Sequence, residues 1–185
     1  MQNKHKVSVK KITTLGVMAA LSVALAFYIH IPFPPAPFLE YDPADIPIFI
    51  VSFIFGPLWG IALTIIVSVL QGLTVSAGSG LYGILMHVFA TSAFVIVSGI
   101  VYRFNKSHMG AIAALSLGCL TQTLIMIPLN LIFTPMFLGS PVDSVLEMII
   151  PVILPFNLMK AGINAIVTGL LFKHLEKAAK KYIMN

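Results

Sequence analysis

The sequence has very little charge for its length. Only 9% of its 185 residues are Asp, Glu, Lys or Arg, whereas soluble proteins carry about 25%. A water-facing surface cannot be built from so few charged side chains, and 58% of the residues are hydrophobic. The composition therefore excludes a soluble globular protein and predicts a chain that crosses a membrane several times.

Cysteine and the usual catalytic patterns are also scarce. The single cysteine, Cys119, excludes a disulfide framework and a cysteine metal cluster. Segment 56–60 contains two glycines but lacks the Lys of a phosphate-binding loop. The apolar segments hold neither paired carboxylates nor a nucleophile beside a base. We therefore expect no ATP hydrolysis by this chain, no enzymatic activity, no catalytic residue, no metal site and no cofactor.

Long uncharged runs predict an all-α integral membrane protein. We expect a compact bundle of six transmembrane helices that forms one domain over residues 1–185. The approximate spans are 12–31, 46–56, 58–75, 81–102, 109–137 and 152–172. Residues 46–75 are too long for one span of about 20 residues, and Gly56-Pro57 divides them into a hairpin. A signal peptide cleaved near Ala24-Leu25-Ala26 is disfavoured, since the first apolar run continues to Ile31.

The charges predict the orientation of these spans. Basic residues form three clusters: Lys4, Lys6, Lys10 and Lys11; Arg103 and Lys106; and Lys173, Lys177, Lys180 and Lys181. Because cytoplasmic loops are enriched in Lys and Arg, we expect both termini and the 103–106 gap in the cytoplasm. The acidic gaps at 40–45 and 143–147 are expected outside, the second as a loop. An odd number of spans must then separate 40–45 from 103–106, which requires the hairpin.

Several residues outside the spans, and one within them, are interpreted as structural. The proline-rich segment 32–43 predicts an ordered, extended loop. Asp45, followed by Ile46 and Pro47, is typical of a helix N-cap rather than of a ligand. His87 has no Asp, Glu, Cys or second His on its own helix face, which favours a hydrogen-bonded core residue over a metal ligand.

A polar stripe in the last span indicates a binding site. Asn157, Lys160 and Asn164 are spaced i, i+3 and i+7, which places them on one helix face. A Lys near the centre of a span costs roughly 2.5–3.5 kcal/mol, so it usually faces a partner, a ligand or water. We interpret the stripe as one wall of a small-molecule site, onto which Asn130 of the fifth span could converge. The alternative is a Lys that snorkels outward while the asparagines bond neighbouring helices.

Small residues recur at four-residue steps in the first span. Gly16, Ala20 and Ala24 form a pattern that permits close approach of another helix. On spacing alone, packing inside the bundle is the better interpretation of this stripe.

Three segments resemble the substrate-binding (S) subunits of energy-coupling factor (ECF) vitamin transporters, most of all their riboflavin-specific branch. These segments are Leu39-Glu40-Tyr41-Asp42-Pro43-Ala44-Asp45-Ile46-Pro47, Phe55-Gly56-Pro57 with Gly60, and Pro155-Phe156-Asn157-Leu158-Met159-Lys160. The resemblance extends over nearly the whole chain, and its most specific part is the last segment. It implies a multi-pass protein of the bacterial cell membrane that binds a vitamin for import.

The resemblance also implies roles for individual residues. Asn130, Asn157 and Lys160 would contact the flavin, and Phe38, Leu39 and Tyr41 would lie in the loop that covers it. Gly16, Ala20 and Ala24 would dock a membrane-embedded coupling subunit, which two cytoplasmic ATPase subunits energise.

The residues leave alternatives for the substrate. Glu40 and segment 71–80 depart from the riboflavin-specific pattern. Pantothenate or another small vitamin is the first alternative, since a carboxylate would neutralise Lys160 in a site of low dielectric constant. A stand-alone facilitator or membrane scaffold is the second alternative.

Overall fold

The computed structural model describes residues 9–182, and their side chains as far as His174. The described elements are α1 (Val9–Tyr28), β1 (Ile31–Phe33), β2 (Ala36–Tyr41), α2 (Asp45–Phe55), α3 (Pro57–Leu73), α4 (Gly80–Phe104), α5 (His108–Leu138), α6 (Val142–Met148) and α7 (Leu154–Tyr182). Lys4 and Lys6 of the first basic cluster lie outside the described residues, as do the side chains of Lys177, Lys180 and Lys181.

The helices form an apolar bundle of the kind the composition predicts. Four helical segments are long and apolar enough to cross a membrane: Val9–Tyr28, Ala77–Phe104, His108–Leu138 and Val142–His174. The two shorter apolar helices, α2 and α3, are joined at Gly56, whose φ of 96° favours glycine. That α2 and α3 are separate spans stays a prediction from the charge pattern.

Helix α2 lies at the centre of the bundle. Nine consecutive residues from Asp45 to Phe53 are buried, as expected for a helix surrounded on all sides. Phe49 stacks on Phe94 of α4 with ring centroids 3.6 Å apart. A Cβ at Gly60 of α3 would lie 2.6 Å from a Val95 methyl group, so α3 approaches α4 closely because this position is glycine. This tight packing holds α3 and α4 in a fixed position relative to each other.

The proline-rich loop forms a short antiparallel β-hairpin. Strand β1 pairs with β2 in the register Ile31↔Tyr41 and Pro32↔Glu40, which agrees with the extended conformation expected there. The acidic segment around Asp143 is not a loop: it is helix α6, which continues through a π-helical turn at Ile149–Ile153 into α7.

The helical form of α6 follows from its apolar spacing. Val145, Ile149 and Ile153 recur at four-residue steps, are all buried, and pack in one cluster with Ala36 and Leu39 of the hairpin. The apolar face of this segment is thus satisfied only as a helix, while Asp143 and Glu147 stay on its exposed face.

Helix α1 turns its small-residue stripe outward. The buried residues of α1 are Ala19, Ser22 and Ala26, whereas Gly16 and Ala20 are exposed and Ala24 is half-buried. An added Cβ at Gly16 would meet nothing within 4 Å. The interpretation of this stripe as internal packing is therefore wrong for Gly16 and Ala20.

Candidate ligand-binding site

A small cavity lies beneath the hairpin, enclosed by α3, α4, α5 and α7. Its volume is about 150 Å³. Its lining combines aromatic and aliphatic side chains with amides, hydroxyls and charged groups: Phe38, Leu39, Glu40, Asp42, Ser68, Gln71, Gly72, Ser76, Ser79, Gly83, Ile84, Met86, His87, Ala90, Gln122, Met126, Phe156, Asn157 and Lys160. An apolar pocket with a few convergent polar groups is typical of a small-molecule site.

Four residues predicted from the sequence line this cavity together. Phe38 and Leu39 come from β2, and Asn157 and Lys160 come from α7. Asn157 donates from Nδ2 to the carbonyl of Ile153 at 2.8 Å. Its Oδ1 accepts no hydrogen bond from the described residues, so this oxygen is the part of the amide that a ligand donor can reach.

Lys160 joins α7 to the end of the hairpin. Its Nζ donates to Asp42 Oδ2 at 2.7 Å and to the carbonyl of Glu40 at 3.0 Å. The Lys160 and Asp42 side chains are only 16% and 11% exposed. The ammonium thus has a carboxylate partner from the segment before α2, which offsets the free-energy cost of placing a Lys in a span. The Lys160 side chain does not snorkel outward.

Asn164 and Tyr41 secure the same junction without lining the cavity. Asn164 is fully buried and donates from Nδ2 to the carbonyl of Asp42 at 3.1 Å. Tyr41 donates its hydroxyl to Asn164 Oδ1 at 3.3 Å. Burial and, secondly, the Asp42 carboxylate raise the pKa of the Tyr41 phenol, so the donor proton is retained. As ligand contacts, both residues stay predictions.

Asn130 does not converge on the cavity with Asn157 and Lys160. It is fully buried in α5, where its Nδ2 donates to the carbonyl of Met126 and its Oδ1 accepts from Thr134, each at 2.8 Å. Both halves of the amide are thus satisfied within its own helix. Contact between Asn130 and a ligand stays a prediction. Such a contact requires the Asn130 side chain to replace its hydrogen bond to Met126 or Thr134 by one to the ligand.

His87 and Asp45 form a buried polar network beside the cavity. Asp45 was interpreted as a helix cap, but its side chain makes no capping bond. Instead Asp45 Oδ1 lies 2.9 Å from His87 Nε2 and accepts from Thr91 at 3.0 Å. The cap interpretation is wrong because α2 begins inside the bundle, where His87 and Thr91 of α4 contact the Asp45 carboxylate instead. His87 is hydrogen-bonded as expected, although to an acid on another helix.

Ser68 of α3 contacts the other side of the His87 ring. Ser68 Oγ donates to the carbonyl of Thr64 at 2.7 Å and also lies 2.7 Å from His87 Nδ1. The imidazole thus lies between Ser68 and Asp45, whose Oδ1 is 2.9 Å from His87 Nε2.

Two glutamines were not among the predicted site residues. Gln71 of α3 lines the cavity, and its Nε2 lies 3.5 Å from Asp42 Oδ1. Gln122 of α5 lines the cavity too, and its buried Oε1 has no hydrogen-bond partner among the described residues. An isolated amide within an apolar span is itself a signal, because an unpaired buried acceptor costs about 1–3 kcal/mol. Gln122 is therefore a strong candidate ligand contact.

The site has no net positive charge. Lys160 is balanced by Asp42, and His87 by Asp45. Glu40 adds a further carboxylate, which lies 3.0 Å from His30 at the hairpin. Each cation lining the cavity already has an anionic partner within the described part of the chain.

The fold and the cavity define a helical membrane protein with an internal site for a small molecule. Comparison with known proteins gives the family. The family model "ECF transporter, substrate-specific component" matches residues 10–172, and the chain belongs to this family.

Similar proteins agree with this assignment. The chain is 30% identical to the riboflavin transporter FmnP of Bacillus subtilis (strain 168) over 177 residues, which cover 91% of this chain and 93% of that protein. It is 26% identical to the riboflavin transporter RibU of Staphylococcus aureus (strain TCH60), with 93% of both chains covered. A solved S component of a bacterial ECF transporter superposes with a TM-score of 0.79 at 27% identity, covering 92% of this chain and 98% of that one. The chain is therefore a multi-pass protein of a bacterial membrane.

Proposed function

We propose that this chain binds riboflavin and imports it as the substrate-binding subunit of an ECF transporter. A membrane-embedded coupling subunit and two cytoplasmic ATPase subunits would supply the energy. The observation that carries the proposal is the cavity beneath the hairpin, which has apolar walls, several amides and a Lys160 that is already paired with Asp42. Its polar groups suit a neutral ligand that offers hydrogen bonds along its edge.

Riboflavin offers the chemistry that this lining needs. Its flat heterocycle can pack against apolar side chains such as Phe38 and Phe156. Gln122 Oε1, which is buried without a partner among the described residues, and Asn157 Oδ1, on an amide that lines the same cavity, can receive its ring N–H or the hydroxyls of its tail. A ligand that pairs these acceptors removes the cost of leaving them buried.

The charge balance argues against a carboxylate substrate. Pantothenate was the first alternative because Lys160 could have neutralised its carboxylate. Lys160 is instead committed to Asp42 at 2.7 Å, and Glu40 lies in the same lining. A bound anion would have to break the Lys160–Asp42 pair and would leave the Asp42 carboxylate buried, which is strongly unfavourable.

The cavity must enlarge to hold a vitamin. Its volume of about 150 Å³ is below the roughly 300–1,000 Å³ of typical ligand pockets. The hairpin covers one side of the cavity, where Lys160, Asn164 and the Phe33–Phe156 contact at 5.2 Å hold it to α7. Its buried Ala36 and Leu39 also pack in the cluster formed with α6. We propose that the hairpin lifts to admit the ligand and then closes over it.

The outward stripe on α1 supports a docking role for Gly16, Ala20 and Ala24. Gly16 and Ala20 are exposed, so another helix can approach α1 closely at these positions. We propose that the coupling subunit docks here. On this proposal the chain is not an enzyme, and riboflavin is its transported ligand rather than a cofactor.

A fluorescence titration tests the proposed substrate. Purified protein in detergent should quench riboflavin fluorescence with saturation, and excess pantothenate should not displace the flavin. Gln122→Leu should weaken riboflavin binding roughly tenfold to a hundredfold, because it removes an acceptor worth about 1–3 kcal/mol. The matched control is Thr121→Val, which changes the neighbouring half-buried residue that does not line the cavity. Displacement by pantothenate, or equal affinity of the wild type and Gln122→Leu, would contradict the proposal.

A further inference from the structure

We propose that a second site, a groove between α5 and α7, binds an anionic phospholipid of the cytoplasmic leaflet. An acyl chain would lie along the groove, and the phosphate would sit among basic side chains at its mouth. The groove is separate from the cavity beneath the hairpin, and its volume is about 1110 Å³.

The groove is built from small residues on two facing helices. Ala111 of α5 and Gly162, Ala165 and Gly169 of α7 line it. An added Cβ at Gly162 would meet nothing within 4 Å, so this position opens onto unfilled space. The groove thus contains apolar space that is not filled by the protein's own side chains.

The length of the groove matches one leaflet of a membrane. It runs along α5 from His108 to Leu120, which is about 18 Å at the rise of an α-helix. The hydrocarbon core of a bilayer is roughly 30 Å thick, so half of it is about 15 Å. The exposed Ile166 and Leu170 on the rim of the groove face the same apolar medium. An acyl chain lying in the groove therefore stays within its own leaflet.

The mouth of the groove is basic. Lys106 lies just before α5 and His108 begins it, and Lys173 and His174 lie in the C-terminal half of α7. No Asp or Glu occurs among the described residues that line the groove. The N-terminus of α5 adds the positive end of a 31-residue helix. Charge complementarity therefore selects an anionic headgroup over a neutral one.

The position of the mouth also selects the leaflet. Lys106 and Lys173 belong to the basic clusters expected in the cytoplasm, where the leaflet carries anionic lipids. The groove lies on α5 and α7, whereas α1 packs against α2 and α3. A lipid in the groove therefore leaves the Gly16, Ala20 and Ala24 stripe free for a protein partner.

Native mass spectrometry tests the proposal with phosphatidylglycerol and phosphatidylcholine as probes. The wild type should retain phosphatidylglycerol preferentially, and Lys106→Gln with Lys173→Gln should reduce this retention roughly tenfold to thirtyfold. The control, Lys10→Gln with Arg103→Gln, removes the same charge from basic residues that do not line the groove. Riboflavin binding should be unchanged in both variants, which shows that they are folded.

A second variant tests the apolar part of the groove. Gly162→Leu fills the groove without meeting a neighbouring side chain at Cβ, and it should lower phosphatidylglycerol retention while leaving riboflavin binding intact. Equal retention of the two lipids by the wild type would overturn the proposal. So would equal losses in the charge variant and its control. If Gly162→Leu instead abolished capture of the coupling subunit and left lipid retention unchanged, the groove would be a protein interface and the proposal would be wrong.

Discussion

At the scale of single residues, the Lys160–Asp42 pair decides what the site can bind. The pair joins α7 to the segment that follows the hairpin, across 118 positions of the chain. Both side chains are mostly buried, so neither charge can lose its partner cheaply. The pair therefore closes the site and cancels the charge that would have attracted an anion.

A double-mutant cycle measures this pair. Lys160→Met strands the Asp42 carboxylate and should weaken riboflavin binding roughly tenfold to a hundredfold, because it removes a donor that holds the hairpin over the cavity, worth about 1–3 kcal/mol. Asp42→Asn should also weaken binding. The double variant should bind no worse than Lys160→Met alone, with a coupling energy of about 1–3 kcal/mol in fluorescence titrations. Additive losses would show that the two residues act independently, and Arg103→Met, at an exposed position, should leave affinity unchanged.

At the scale of elements, the structure separates the ligand site from the proposed docking face. The hairpin and α7 form one side of the cavity, whereas Gly16 and Ala20 of α1 are exposed on the outside of the bundle. Lys11 lies over the Trp59 ring at 4.2 Å and fixes the start of α1 on α3. A change on the outer face of α1 therefore should not disturb the cavity.

Ala20→Leu tests this separation. Riboflavin affinity of the purified subunit should stay within twofold of the wild type, because Ala20 is exposed. Capture of the coupling subunit and riboflavin uptake by cells should fall strongly, since a bulky residue prevents close helix approach. Ala113→Leu, at an exposed alanine of α5, is the matched control and should leave uptake intact. Uptake by Ala20→Leu at the control level would place the docking face elsewhere.

At the scale of the whole molecule, the sequence predicted local features such as helices and shared helix faces. It did not predict which distant segments come into contact. The scarcity of charge predicted a helical membrane protein, and the spacing of Asn157, Lys160 and Asn164 predicted that the three share one helix face. That Lys160 and Asn164 use this face to bond the hairpin segment is seen only in the structure. The partner of Lys160 could not be read from spacing, because Asp42 reaches it only through the folded hairpin. The side chain of Asn130 could turn to the cavity or to its own helix, and the sequence does not distinguish these two states.

Long-range contacts also explain the interpretations that failed. The cap signal at Asp45 is present in the sequence, but the Asp45 carboxylate is hydrogen-bonded to His87 and Thr91 on α4. Gly16 and Ala20 have the spacing of an internal contact, yet α1 buries Ala19 and Ala26 instead. Periodicity shows which residues share a face but not which face meets the bundle.

The orientation of the molecule is tested by labelling single cysteines. In a Cys119→Ser background, Lys106→Cys and Ser140→Cys should react with impermeant reagents from opposite sides of the membrane. The physical reason is that basic segments stay in the cytoplasm, so Lys106 lies inside, and the single helix α5 between the two positions places Ser140 outside. Labelling of both cysteines from outside would contradict the six-span topology.

The absorption spectrum of the purified protein tests the central claim most directly. Protein purified from bacterial cells should carry riboflavin and show the visible absorption band of a flavin, with about one flavin per chain after saturation. Ala90→Phe, which fills the cavity wall at a buried position, should purify without flavin, whereas Ile96→Phe at an exposed position of α4 should retain it. A colourless wild-type protein that also fails to quench added riboflavin would contradict the account.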